Sequence, residues 1–111
     1  EKATFEALVN REDSIWGLDF LPDKKIIFTE RSGKMLIYDM ASKSISEVKG
    51  VPKVYAVGQG GLLDVRVHPD FSKNNFVFFT YSEPLKETST TVLMRAKLVN
   101  TELKEQKKFF T

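Results

Sequence analysis

The sequence predicts an all-β fold, and three features carry that prediction. Helical periodicity is weak along the whole chain, short apolar or alternating runs recur between Gly, Pro, Asp, Asn and Ser, and one four-strand pattern occurs twice.

The expected strands follow in order. The first set is Ile15 to Leu21, Lys25 to Thr29, Lys34 to Asp39 and Ser44 to Val48, broken at Pro22-Asp23-Lys24, Ser32-Gly33 and Ala41-Ser42-Lys43. The second set is Leu62 to His68, Phe76 to Tyr81, Thr90 to Val99 and Glu105 to Phe110, and the Gly-rich stretch Gly58-Gln59-Gly60-Gly61 separates the two. Phe76, Phe78, Phe79 and Tyr81, at strand spacing, are expected in inter-blade core. Lys104, Lys107 and Lys108, interleaved with Glu102 and Glu105, are expected on an outer edge strand, where charge discourages unwanted pairing. Thr4 to Val9 reads as one further strand that pairs outside its own unit.

The two sets are copies of one unit. Leu18-Asp19-Phe20-Leu21-Pro22-Asp23 aligns with Val65-Arg66-Val67-His68-Pro69-Asp70, 47 positions on, and Ile27-Phe28-Thr29 aligns with Phe78-Phe79-Thr80, 51 positions on. Extra residues around Ser72-Lys73-Asn74-Asn75 absorb the difference in a loop. A period of roughly 40 to 50 residues with four strands per unit is the mark of a β-propeller blade. The expected organisation is a single partial domain, with blades at 14–48 and 62–110 and a connection at 49–61. Propellers close with about 4 to 8 blades, so two are expected to pack against further blades of the same protein or of another copy.

Composition narrows the function. Seventeen Lys and Arg against fifteen Asp and Glu leave a net charge of +2, so nothing demands nucleic acid or an anionic membrane. No apolar run approaches the roughly 20 residues of a membrane helix, so no membrane insertion is expected. The chain starts at Glu1 with no signal-type stretch and reads as a mature or trimmed segment. Zero cysteines remove disulfides, thiolate metal sites and Cys nucleophiles.

In a four-stranded meander the connections alternate between two ends, which sorts the candidate residues. Residues 14–16 and 58–61, entering the first strands, share one end with Glu30 to Gly33 and Glu83 to Ser89; this is the upper end. His68-Pro69-Asp70 lies at the lower end. A lone His with one Asp offers too few ligands for a metal, and the matching turn in the first copy has no His, so a structural role is expected, with Asp70 bonding turn amides. The Gly-rich loop has no phosphate-loop spacing and leads into a strand. Its glycines hold Gln59 at the end of an inner strand, where it meets a ligand or caps backbone groups. Glu30-Arg31 reads as a solvated turn before a ligand pair. Trp16 reads as packing near the axis before stacking on a sugar or planar cofactor.

Three strings, in order, then carry a family resemblance: Ile15-Trp16-Gly17-Leu18-Asp19-Phe20-Leu21-Pro22-Asp23, Thr29-Glu30-Arg31-Ser32-Gly33-Lys34, and Gly58-Gln59-Gly60-Gly61-Leu62-Leu63-Asp64-Val65 running into Val67-His68-Pro69-Asp70-Phe71. Together they resemble the soluble quinoprotein sugar dehydrogenases of the glucose/sorbosone dehydrogenase family. The resemblance implies a six-bladed propeller that binds pyrroloquinoline quinone, generally with calcium, and oxidises aldose sugars at the anomeric carbon in the periplasm or outside the cell. It places Gln59 beside quinone and sugar, with Trp16 and Gly60 as weaker candidates. It puts His68 on the far face and leaves the general base, the quinone-pairing cations and the calcium ligands outside these 111 residues. The segment by itself is therefore expected to be inert, with no catalytic or metal-binding residue of its own. The competing reading is a non-catalytic propeller for protein or carbohydrate binding. The hedgehog-interacting proteins, similar to this family, use the scaffold in that way, but their domains are cysteine-rich and this chain is not.

Overall fold

The computed structural model describes residues 15–30, 32–52, 62–84 and 89–110. The expected strand at Thr4 to Val9 lies outside them. The chain forms β1 (Ile15–Leu21), β2 (Lys25–Glu30), β3 (Met35–Asp39), β4 (Ser44–Glu47), β5 (Leu62–Val67), the single helical turn α1 (Phe71–Asn74), β6 (Phe76–Pro84), β7 (Ser89–Val99) and β8 (Glu102–Phe110). Two four-stranded antiparallel sheets result, β1-β2-β3-β4 and β5-β6-β7-β8. Their first strands lie against each other, as those of adjacent propeller blades do.

Local chemistry explains the turns. Asp23 and Lys24 both take positive φ between β1 and β2, and Gly33 does so between β2 and β3. At the β3–β4 turn the Asp39 carboxylate accepts the Ala41 and Ser42 amides while Lys43 adopts φ 57°, an Asx-type turn. The extra residues of the second repeat coil into α1, and Asn75 ends it in the left-handed conformation with its amide donating to the Phe71 carbonyl. That helical turn replaces the plain loop expected there.

The core between the sheets follows the period of two. On β7, Val92, Met94, Ala96 and Leu98 are buried, and the residues between them are half-buried on the other face. These side chains meet Ile27, Met35, Ile37 and Val48 of the first repeat. The same alternation divides the aromatics of β6 between the two faces of the sheet. Phe79 and Tyr81 lie in this core, but Phe76 and Phe78 occupy the opposite face, because one strand cannot turn adjacent residues the same way.

β2 and β3 are buried on both faces. Ile26, Phe28, Leu36 and Tyr38 form a second cluster on the side turned away from β5–β8, so that flank is not bare. β8 begins three residues before the expected start. Glu105 takes φ 52° at a register shift between Arg95 and Lys97, and this bulge splits the strand's alternation. A parallel bridge from Lys49 to Glu102, with the Lys49 amide on the Thr101 carbonyl at 2.7 Å, ties the exit of the first sheet to β8.

Candidate functional site

Strand pairing sets the two ends. Ile15 pairs with Glu30 and Leu62 with Tyr81 at the upper end, while Leu21 pairs with Lys25 and the His68 amide reaches the Phe76 carbonyl at the lower end. Gln59 and Gly60 lie outside the described residues, as does Arg31. Among the described residues the upper end brings together Trp16, Gly17, Thr29 and Glu30.

Both first strands are bulged where they enter the sheet, between Ile15 and Gly17 and between Leu62 and Val65. A bulge carries one residue too many for its partner strand and turns a side chain out of the regular alternation. Trp16 is that residue in β1, and it stands 40% exposed. The ring is thus partly packed and partly open to solvent at this end. The expectation for Glu30 is corrected. Expected as a solvated turn charge, it is 1% exposed, because it sits on β2 beside the bulge with its amide bonded to the Lys34 carbonyl at 2.8 Å.

The bulges leave one amide of each inner strand outside the backbone ladder, and threonines fill the gap. The Gly17 amide donates to the Thr29 hydroxyl at 3.0 Å and the Asp64 amide to the Thr80 hydroxyl at 3.2 Å. The seam between β1 and β5 is held by Asp19, whose carboxylate accepts the Phe20 amide at 2.8 Å and, from the other sheet, the Val67 amide at 2.7 Å. Sequence reasoning missed all three side chains. The only available signal was the recurrence of Thr29 and Thr80 at matched places in the two repeats.

The lower end holds a constellation that invites a catalytic reading and does not support one. Asp19, His68 and Ser72 line one cavity of about 330 Å³. Both carboxylate oxygens of Asp19 are taken by amides, and His68 Nδ1 accepts the Asp70 amide at 3.0 Å and contacts the Asn74 carboxamide at 3.1 Å. Accepting that amide places the ring proton on Nε2 and leaves neither nitrogen joined to Asp19. The ring packs edge-on to Phe76 and stacks near Phe78 at centroid distances of 6.2 and 6.1 Å. His68 holds the turn, but the expected agent differs: its imidazole, not the Asp70 carboxylate, satisfies the turn amide. A larger cleft of about 620 Å³ opens between the sheets at this same end, with Asp39, Asn75 and Asn100 among its walls. No group of three or more His, Cys, Asp or Glu among the described residues is placed to hold a metal.

Two repeated meanders, bulged at the same point and joined along their first strands, define a segment of a β-propeller. Residues 12–111 match the family described as Glucose / Sorbosone dehydrogenase, and the chain belongs to that family. It is 39% identical over 79 residues to aldose sugar dehydrogenase YliI of Escherichia coli K12, covering 70% of this chain and 21% of that protein. Identity to quinoprotein glucose dehydrogenase B of Acinetobacter calcoaceticus is 39% over 75 residues, covering 63% of this chain and 15% of that protein. A crystal structure of a glucose dehydrogenase superposes with a TM-score of 0.83 at 34% identity, over 88% of this chain and 30% of that one. The apo-form of the soluble aldose sugar dehydrogenase from Escherichia coli gives 0.81 at 33%, over 88% and 29%. The chain thus spans about a fifth of its curated relatives and about 30% of these solved structures.

Proposed function

We propose that this chain is part of a quinoprotein that oxidises aldose sugars at the anomeric carbon, with residues 14–48 and 62–110 serving as two of its blades and 49–61 as their connection. The family match over residues 12–111 carries this reading. The quinone comes to this chain by analogy with its quinoprotein relative, and a structural neighbour described as the PQQ-bound form of an aldose sugar dehydrogenase from Streptomyces coelicolor shares the fold, with a TM-score of 0.71 at 23% identity. Pyrroloquinoline quinone, when bound, accepts the hydride removed from the sugar. Calcium beside the quinone and a periplasmic or secreted location rest on the family resemblance alone.

The described residues fit a supporting part in such a site. They offer an exposed indole at Trp16 and the buried carboxyl of Glu30 at the upper end, and no cluster able to hold a metal. In this reading Gln59, entering β5 at the upper end, supplies a carboxamide to the quinone or sugar, Gly60 gives close backbone approach, and the Trp16 ring forms wall. The lower end, with His68, takes no part.

The test uses the full-length protein freed of cofactor. Titration with pyrroloquinoline quinone should saturate and restore aldose-dependent reduction of an electron-accepting dye. A protein that binds no quinone and turns over no aldose belongs instead to the non-catalytic propellers.

A further inference from the structure

The two bulges at the upper end meet across the seam. Trp16 and Gly17 of β1 stand against the single residue Thr29 of β2, and Leu63 and Asp64 of β5 stand against Thr80 of β6, the same places in the two repeats. In the first repeat the Gly17 amide donates to the Thr29 hydroxyl at 3.0 Å, and Thr29 is fully buried. On its other side Gly17 has no room. A Cβ there would lie 3.0 Å from Asp64 Cα and 3.2 Å from the Val65 nitrogen. Asp64 is itself pinned, its Oδ1 accepting the Val65 amide and the Arg66 guanidinium, each at 2.9 Å. The bulge of β1 is therefore gripped between a hydroxyl of its own sheet and the backbone of the next. Trp16 leaves the strand from inside that grip.

A bulge re-aims the side chain it carries, and a buried bulge keeps its geometry only while the displaced amide has an acceptor. Water cannot take over that part at Thr29, which is closed to solvent. We propose that Thr29 is a positioning residue for the upper end: its hydroxyl fixes the bulge, and the bulge aims the Trp16 indole beside the bound quinone, whose planar ring an aromatic wall suits. Being buried, Thr29 acts through Gly17 and Trp16 and not by contact with the ligand. The inference rests on the quinoprotein reading and adds to it the residue that sets the wall.

The experiment uses the full-length protein labelled with 5-fluorotryptophan, in which the fluorine signal lost in Trp16→Phe identifies Trp16. In the quinone-free protein Thr29→Val should move or broaden that signal, and Thr29→Ser, which keeps the acceptor, should return it. On titration with pyrroloquinoline quinone, Thr29→Val should raise Kd roughly three- to tenfold, the worth of an aromatic contact, with Thr29→Ser near the unaltered value. In a Trp16→Ala background Thr29→Val should raise Kd no further. A Thr29→Val protein that melts earlier but shows an unmoved signal or an unchanged Kd overturns the proposal, and so does an undiminished effect on Kd without the Trp16 ring. Should Thr29→Val not fold, Thr29→Cys, whose thiol accepts only weakly, takes its place in each comparison. The unaltered protein is titrated first: no quinone binding there defeats the quinoprotein reading and this proposal together, whereas saturable binding followed by any of the negative results defeats this proposal alone.

Discussion

The hydroxyl of Thr29 accepts the amide of Gly17 at 3.0 Å and lies 3.4 Å from the Gly17 carbonyl, to which it can donate in turn. The second sheet repeats the arrangement with Thr80 and Asp64. The two amides are 47 positions apart and the two hydroxyls 51, the same offsets that align the repeats in sequence. Each blade thus bulges its first strand at one point and satisfies the displaced amide from its second strand.

Thr29→Val removes that acceptor without changing side-chain shape. Thr29 is fully buried, so the Gly17 amide would be stranded, at a cost of about 1–3 kcal/mol. Thr80→Val should cost less, because its site is only part-buried and water replaces some of the bond. Urea unfolding of the two full-length variants checks the order; equal losses would contradict it.

At Gly17 the two inner strands pack closely. A Cβ there would lie 2.5 Å from Asp64 Oδ1 and 3.0 Å from Asp64 Cα, and the backbone atom cannot swing aside. Gly17→Ala should therefore destabilise by about 1–3 kcal/mol by forcing β1 and β5 apart. A variant with an unchanged thermal midpoint would show that the seam is looser than described.

Asp19 joins the sheets through one short bond to the Val67 amide. In Asp19→Ala that amide loses its acceptor, and its hydrogen exchange should quicken about tenfold or more, since 1.4 kcal/mol corresponds to a factor of ten. Amides within the β6–β7 ladder should keep their protection relative to Val67. Uniform acceleration throughout would mean that Asp19 acts on global stability and not on the seam.

Gln59 and His68 separate function from support. In the full-length protein Gln59→Ala should weaken quinone binding or sugar oxidation by about 1–3 kcal/mol, the value of a buried polar contact, at nearly unchanged stability. His68→Ala strands the Asp70 amide and the Asn74 carboxamide and empties space beside Phe76 and Phe78. It should lower the melting temperature and leave kcat/KM intact. Steady-state kinetics beside thermal melts decide the matter, and the reverse pattern would withdraw the role of the upper end.

By itself the sequence determined the all-β class, the doubled four-strand unit and the assignment of His68 to the end opposite the first-strand entrances, because period-two patterning and turn residues are local and each hairpin reverses the chain. It also carried the family, in strings that need no folding to be read. Tertiary structure alone decided that Trp16 stands out at a bulge while Glu30 is buried beside it, that Phe76 and Phe78 leave the core that Phe79 and Tyr81 share, and that Asp19 reaches across to Val67. These depend on register and on which sheet covers which face, and contacts between residues nearly fifty positions apart are fixed only when the two blades pack.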